Sequence, residues 1–144
     1  MNAQFTYFIS DIDAIAHQIL NQCTFSRIFL LHGEMGAGKT TLVQAFCRAL
    51  GTYETAKSPT FGLIHEYNSA TGPVYHFDLY RLSGEVEAEG LGLEEFWDSG
   101  AYCFVEWPEI APGLMPAHSA QLNITVLDTQ SREISVHCSE PHLS

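Results

Sequence analysis

The hydrophobic rhythm of the chain changes several times, and each change marks an element. Ile12, Ile15, Ala16, Ile19 and Leu20 recur at helical spacing, which predicts a helix with one inward face. Ser10, with the acid Asp13 three residues on, reads as a capping box that starts this helix. The preceding QFTYFIS reads as a short first strand. RIFLL is an unbroken apolar run bounded by turn residues, as expected of a buried strand. TTLVQAFCRAL returns to the helical period: Leu42, Val43, Phe46 and Leu50 share a face, and Gly51 can end the helix in a left-handed conformation. FGLIHEYN and VYHFDLYRL read as two strands joined by SATGP, a hairpin-sized loop. SGEVEAEGLGLEEFWDSG is acidic, punctuated by glycines, and predicts one or two short helices. AYCFVEW is a further apolar strand, and SAQLNITVL and REISVHC flank DTQS as a terminal hairpin. One strand–helix unit combined with hairpins predicts a three-layer α/β domain with a mixed parallel and antiparallel sheet, spanning residues 1–144 as a single unit.

At 144 residues the chain can bury a core without help from a disulfide or a metal. No apolar run is long enough to span a bilayer, and MNAQFTYFISDID lacks the basic start and apolar stretch of a signal peptide. The cytoplasm is the expected compartment. Cys23, Cys47, Cys103 and Cys138 form no C-x-x-C pair and are expected to be buried or half-buried thiols. The histidines show no metal-ligand spacing.

Charge narrows the chemistry further. The formal net charge is -11, which opposes sequence-independent binding to nucleic acid. Any anion site must draw on Arg27, Lys39, Arg48, Lys57, Arg81 and Arg132.

One of these cations lies in a glycine turn. Gly33-Glu34-Met35-Gly36-Ala37-Gly38-Lys39-Thr40 fits G-x-x-x-x-G-K-[ST], between a predicted strand and a predicted helix. The glycines let successive N–H groups point into one concavity, and the following helix N-terminus favours an anion. Lys39 can reach the β- and γ-phosphates, and the Thr40 hydroxyl can bind Mg²⁺. Glu106, at the end of AYCFVEW, is the candidate second acid on the metal side, where Asp is usual; otherwise it is a solvated strand-end acid. Trp107 either stacks on a base or covers the core. In HFDLYR, His76, Asp78 and Tyr80 alternate with Phe77 and Leu79, so the polar face either lines a site or is ordinary half-exposed strand. Asp78 can orient a water or join the metal shell. In KSPTF, Pro59 keeps Ser58 extended, and Thr60 can offer a hydroxyl near the γ-phosphate.

GEMGAGKTT, SPTF, YHFDLYRL and VEWPE, in this order from Gly33 to Glu109, resemble the TsaE (YjeE) family of bacterial P-loop ATPases. Glu34-Met35 departs mildly from the Asp-Leu common in the family. The resemblance implies a P-loop NTPase-like fold and a role in making N6-threonylcarbamoyladenosine at position 37 of ANN-decoding tRNAs. It implies ATP and Mg²⁺ as cofactors and the TsaB–TsaD transferase complex as partner, with hydrolysis supporting turnover of that complex. Binding of RNA mainly through partners suits the acidic composition.

On this reading Lys39, Asp78 and Glu106 are the catalytic set, and Thr40 and Glu106 the metal ligands. The nucleotide would lie on Gly33–Thr41, with Thr60, Trp107 and Arg132 as further contacts. No arginine finger stands out, Arg81 and Arg132 being candidates only because cations are scarce, so slow intrinsic hydrolysis is expected.

Two rivals remain. A small-molecule kinase commonly carries lid arginines, but Glu85–Glu95 contains no cation. A nucleotide-dependent binding module would lack useful hydrolysis. No N/T-K-x-D segment points to guanine.

Overall fold

Two short apolar runs form the middle of the molecule. Strand β2 (Ile28–His32) is buried at every position but the last, and β5 (Tyr102–Glu106) at every position but the first. They pair in parallel, and residues on both faces of each run need cover, which is why neither alternates with polar residues. The computed structural model describes residues 2–53 and 60–138.

Around this pair the chain builds one seven-stranded sheet in the order β1-β7-β6-β2-β5-β4-β3. The remaining strands are β1 (Asn2–Phe8), β3 (Ile64–Ser69), β4 (Gly72–Asp78), β6 (Ala120–Val126) and β7 (Ser131–His137). Strands β6, β2, β5 and β4 run parallel, whereas β1–β7, β6–β7 and β3–β4 are antiparallel. The sheet is therefore mixed, as the sequence pattern predicts.

Helices α1 (Ile12–Gln22) and α2 (Lys39–Ala49) cover one face. Ile15, Ala16 and Ile19 of α1 and Leu42, Val43 and Phe46 of α2 meet Phe29, Leu31 and Phe104 of the sheet. The aromatic rings stack, Phe46 on Phe104 at 4.8 Å and Phe104 on Phe29 at 5.3 Å. Helices α3 (Glu85–Glu89) and α4 (Leu93–Asp98) cover the other face over Leu30, Phe77, Cys103 and Val105. This third layer stops at the β2–β5–β4 half. The same face of β1, β7 and β6 carries Gln4, Ser135 and Asn123 in one cross-strand row and Thr6, Glu133 and Thr125 in the next, polar residues that need no cover.

Three local expectations are corrected. The β3–β4 loop is shorter than SATGP, because the ladder runs to Ser69↔Gly72 and Ser69 Oγ donates to the Gly72 carbonyl at 2.7 Å. Ser10 does not cap α1. It lies in a 3-10 turn, Ile9–Asp11, whose Ile9 N–H is tied to the Gln130 carbonyl, and the helix starts after Asp11 without a side-chain cap. Cys23 and Cys138 are not thiols but a disulfide, Cα–Cα 5.8 Å, joining the end of α1 to the residue after β7 across 115 residues of sequence. Cys47 and Cys103 are buried free thiols, held up by burial to about 11 and about 12 respectively. No helix among the described residues is long and apolar enough to cross a membrane.

Candidate functional site

The parallel register brings three strand ends into one line. Leu31 of β2 lies beside Glu106 of β5, and Glu106 beside Asp78 of β4. At this carboxyl edge the chain leaves β2 into the glycine turn, the usual place for a ligand crevice in such sheets. Gly36 and Gly38 adopt φ of 82° and 102°, values that side chains resist, and Gly38 leads directly into α2. A Cβ on Gly33 would stand 3.0 Å from the Ile124 carbonyl oxygen, so this turn packs tightly on β6. No side chain caps α2, which leaves its first amides facing outward with the positive end of the helix dipole.

Lys39 is only 4 % exposed. Its ammonium donates to the Gly33 carbonyl at 2.6 Å and sits 3.3 Å from the centre of the Trp107 ring. Burial pushes the Lys39 pKa down, against the pull of Glu106, Glu109 and Asp78. Trp107 holds this place with φ of 60°, a left-handed conformation that is costly for a bulky residue, by about 1–3 kcal/mol. Tyr80 packs on its ring at 5.0 Å.

Glu106 is 3 % exposed and fully engaged. Thr40 Oγ1 lies 2.9 and 2.8 Å from its two oxygens, and His76 Nε2 lies 2.5 Å from Oε2. Burial raises the Glu106 pKa, but the His76 contact and charge, the Thr40 hydrogen bond and the Lys39 charge together hold it below the usual carboxylate value. His65 stacks on His76 at 5.5 Å, and burial, with His76, lowers its pKa.

Lys39, Thr40, His65, Tyr80, Glu106 and Trp107 line one open cavity of about 730 Å³. The turn from Met35 to Thr41, without Ala37, lines it together with Asp78, Glu106 and Trp107. Arg81, Glu87 and the Phe61–Leu63 turn also line it. Gly33, Glu34 and Ala37 of the same turn are not on the wall; Ala37 is buried beneath it. Thr60 is one residue outside the lining and pairs its N–H with the Ile64 carbonyl. Ser58, Pro59 and Lys57 lie outside the described residues. Arg132 is not in this cavity. It reaches the turn from behind, Nε donating to the Ala37 carbonyl at 2.9 Å.

Residues 8–134 match the family described as threonylcarbamoyl adenosine biosynthesis protein TsaE. The chain belongs to the TsaE family. Its similarity to the tRNA threonylcarbamoyladenosine biosynthesis protein TsaE of Haemophilus influenzae is 40% identity over 98 residues, covering 68% of this chain and 62% of that protein, less than two thirds of its length. The protein of the same description from Bacillus subtilis is 39% identical over 108 residues, covering 75% of this chain and 67% of that one. Among solved structures, that of Bacillus subtilis YdiB superposes with a TM-score of 0.72 at 29% identity, covering 94% of this chain and 86% of the other. The whole site of this TsaE chain, from Gly33 to Trp107, lies within the matched residues.

Neither the Glu106 partner of His76 nor the position of His65 at this site follows from local sequence. The alternation in YHFDLY put His76 on the same face as Asp78, but only the parallel β4–β5 register shows that this face meets Glu106. Arg81, one of two arginines singled out for scarcity, is the one that lines the cavity. Oxygen donors suit a hard divalent cation, and Thr40 and Glu106 supply them at hydrogen-bond distance. Among the described residues no cluster of three or more His, Cys, Asp or Glu is spaced to hold a metal alone. That donor set fits Mg²⁺, which is usually held by one or two protein oxygens with phosphate and water completing its shell.

Proposed function

We propose that this TsaE chain binds Mg·ATP in the 730 Å³ cavity and hydrolyses it slowly, as an accessory to tRNA threonylcarbamoyladenosine formation. One observation carries the reading. A buried lysine and a buried carboxylate, the latter hydrogen-bonded to the exposed Thr40 hydroxyl, converge at the foot of an uncapped helix N-terminus, with a second carboxylate beside them.

On this reading the α2 amides and Lys39 take the phosphate oxygens, because main-chain donors and an ammonium match dispersed anionic charge. Thr40 and Glu106 hold Mg²⁺, which when bound would neutralise charge on the β- and γ-phosphates. Asp78 is half-buried at the cavity wall, free enough to accept a hydrogen bond from an attacking water. That water would add to the γ-phosphorus as the bond to the β–γ bridging oxygen breaks, giving ADP and phosphate. Arg81, the arginine among the described lining residues, would meet the terminal phosphate.

The partners we propose are TsaB and TsaD, with tRNA held through them, since a net charge of -11 repels RNA. The chain would act as one unit in the cytoplasm.

Reconstitution tests this reading. The protein is mixed with TsaB, TsaD, threonylcarbamoyl donor and tRNA, with and without ATP. ATP-dependent modification, and phosphate release that Asp78→Ala abolishes while ATP still binds, are expected. Equal, negligible release from both proteins would leave a binding module, and phosphorylation of an added small acceptor would make it a kinase.

A further inference from the structure

A chain of polar contacts runs beside the large cavity without lining it. It starts at Glu109, in the turn Pro108–Ile110 that follows Trp107. Glu109 Oε2 lies 3.4 Å from Nδ1 of His32, the last residue of β2 before the glycine turn. His32 Nε2 lies 2.7 Å from Gln121 Oε1 on β6. Gln121 Nε2 donates to Ser119 Oγ at 3.3 Å, and Ser119 Oγ donates to the Pro116 carbonyl at 3.1 Å.

The direction of these contacts is fixed from the far end. The Pro116 carbonyl can only accept, so the Ser119 hydroxyl gives its hydrogen there and accepts from the Gln121 amide. The Gln121 oxygen is then left for His32, whose Nε2 must carry a hydrogen. Were that the ring's only hydrogen, Nδ1 would turn a lone pair on the Glu109 carboxylate. A neutral ring with its hydrogen on Nδ1 would need Gln121 to flip and Ser119 to abandon Pro116. The imidazolium alone satisfies every contact in the chain.

We infer that His32, as the imidazolium, is a positioning residue that ties the turn after Trp107 to the entry of the glycine turn. Its effect on nucleotide rests on the proposed function; the tie itself does not. Pro108 alone separates Glu109 from Trp107, and the Ile110 N–H closes the turn on the Trp107 carbonyl at 3.1 Å. Holding Glu109 therefore holds the left-handed Trp107 backbone and, through it, the indole on the Lys39 ammonium. When His32 loses its charge, the Nδ1 lone pair repels the carboxylate and the turn is released. Glu109 already acts on the charge of Lys39, which is then the cation left to it, and the freed acid opposes phosphate there.

Among the described residues, Glu109 is the charged group that pairs with His32. On the same face, β6 presents the neutral side chains Gln121 and Asn123. Glu106, on β5 beside Leu31, is taken up by Thr40 and His76. Glu34, two residues on in the glycine turn, and His118, just before Ser119, are exposed and make no ion pair among the described residues. A change of charge on His32 is therefore felt first by Glu109.

NMR on the ligand-free protein tests the tie. Imidazole nitrogen signals read the protonation of each histidine, and the 2 tryptophans give separate indole N–H signals that Trp107→Phe assigns. Between about pH 5 and 8, where imidazoles change charge, the Trp107 indole signal should move with the His32 ring. His32→Gln should remove that movement. Glu109→Gln should remove it too, because the ring still titrates but has no carboxylate to hold. An indole signal that moves in His32→Gln as it does in wild type overturns the inference, as does one that never follows the ring in wild type.

Calorimetry with Mg·ATP adds the ligand, with wild type and variant compared at one pH so that the nucleotide's own titration cancels. At about pH 6, His32→Gln should raise Kd about two- to fivefold, what an ion pair with side chains 32% and 45% exposed is worth. At about pH 8.5 the two proteins should match. A ratio that stays constant with pH would reduce His32 to packing and overturn its positioning role. Should His32→Gln not fold, Glu109→Gln carries both measurements. Should wild type not bind Mg·ATP, the proposed function fails, and the ligand-free spectra still decide the tie.

Discussion

Lys39→Met separates the lysine's charge from its packing. The substitution keeps the stem beneath Trp107 and removes the ammonium that donates to Gly33. The free protein should change modestly, because the charge that burial already disfavours goes with one hydrogen bond, worth about 1 kcal/mol, and its contact with the indole face, worth about 0.5–2 kcal/mol. The liganded protein loses a charge-assisted contact to phosphate, worth about 1.5–3 kcal/mol, or a roughly 10- to 150-fold rise in Kd. Thermal shift reads this directly. ATP at about 100 times the wild-type Kd stabilises the folded state by about 2.7 kcal/mol. The same concentration would give the variant about 1.4 to 0.3 kcal/mol, so its shift in Tm should be half of the wild-type shift or less. Calorimetry supplies the two Kd values independently. If Lys39→Met shows an undiminished ATP-dependent shift and an unchanged Kd, phosphate does not sit on this lysine, and the site has been misread.

Gly33→Ala puts a methyl 3.0 Å from the Ile124 carbonyl oxygen and 3.2 Å from Ala37 Cβ, so urea denaturation should show a loss of about 1–3 kcal/mol; an unchanged midpoint would mean the turn has room. Reducing the Cys23–Cys138 bond reopens a chain segment of 115 residues, for which loop-closure entropy sets a ceiling near ~4.7 kcal/mol; dithiothreitol should lower Tm, and it should have no further effect on Cys23→Ser. Glu106 has a folded pKa below the usual 4.5, so its contribution to stability is complete above that value and is lost as pH falls through the folded pKa. Urea midpoints taken downward from about pH 6 should therefore fall in that acid range, and less steeply in Glu106→Gln; identical profiles would contradict the depressed value.

How much of this was legible in the sequence follows from the range of the interactions. The glycine turn is local: its spacing, the apolar run before it and the helical period after it are all read within Ile28–Ala49. Glu106 was also readable, because an apolar strand that ends in an acid delivers that acid to the sheet edge. Its partner was not. His76 and Glu106 meet only through a parallel pairing of strands thirty residues apart, and single-strand alternation cannot choose the neighbour. Arg132 stands out in the sequence as a scarce cation after a hairpin turn, but its docking on Ala37 spans 95 residues. The disulfide spans more, and no spacing rule reaches that far. The alternation of elements predicts three layers without saying how far the third extends; the polar rows on β1, β7 and β6 show why helices cover only one half of that face.

The partners of the two buried charges explain how the site can wait for a ligand. Lys39 and Glu106 sit in one cavity with opposite charge, yet they are not bonded to each other. The lysine rests on a carbonyl and an indole face, and the carboxylate on a hydroxyl and an imidazole. A direct pair would have to be broken before phosphate or a cation could enter, which is expensive once both charges are desolvated. Dipolar partners instead hold each charge in place and can be exchanged one contact at a time for ligand oxygens. Trp107 is decisive here, since its left-handed backbone turns the ring onto the ammonium and away from the strand. The strain at that residue accompanies a lysine kept dry, and free of any carboxylate partner, at the foot of α2, the preorganisation that the proposed phosphate binding would use.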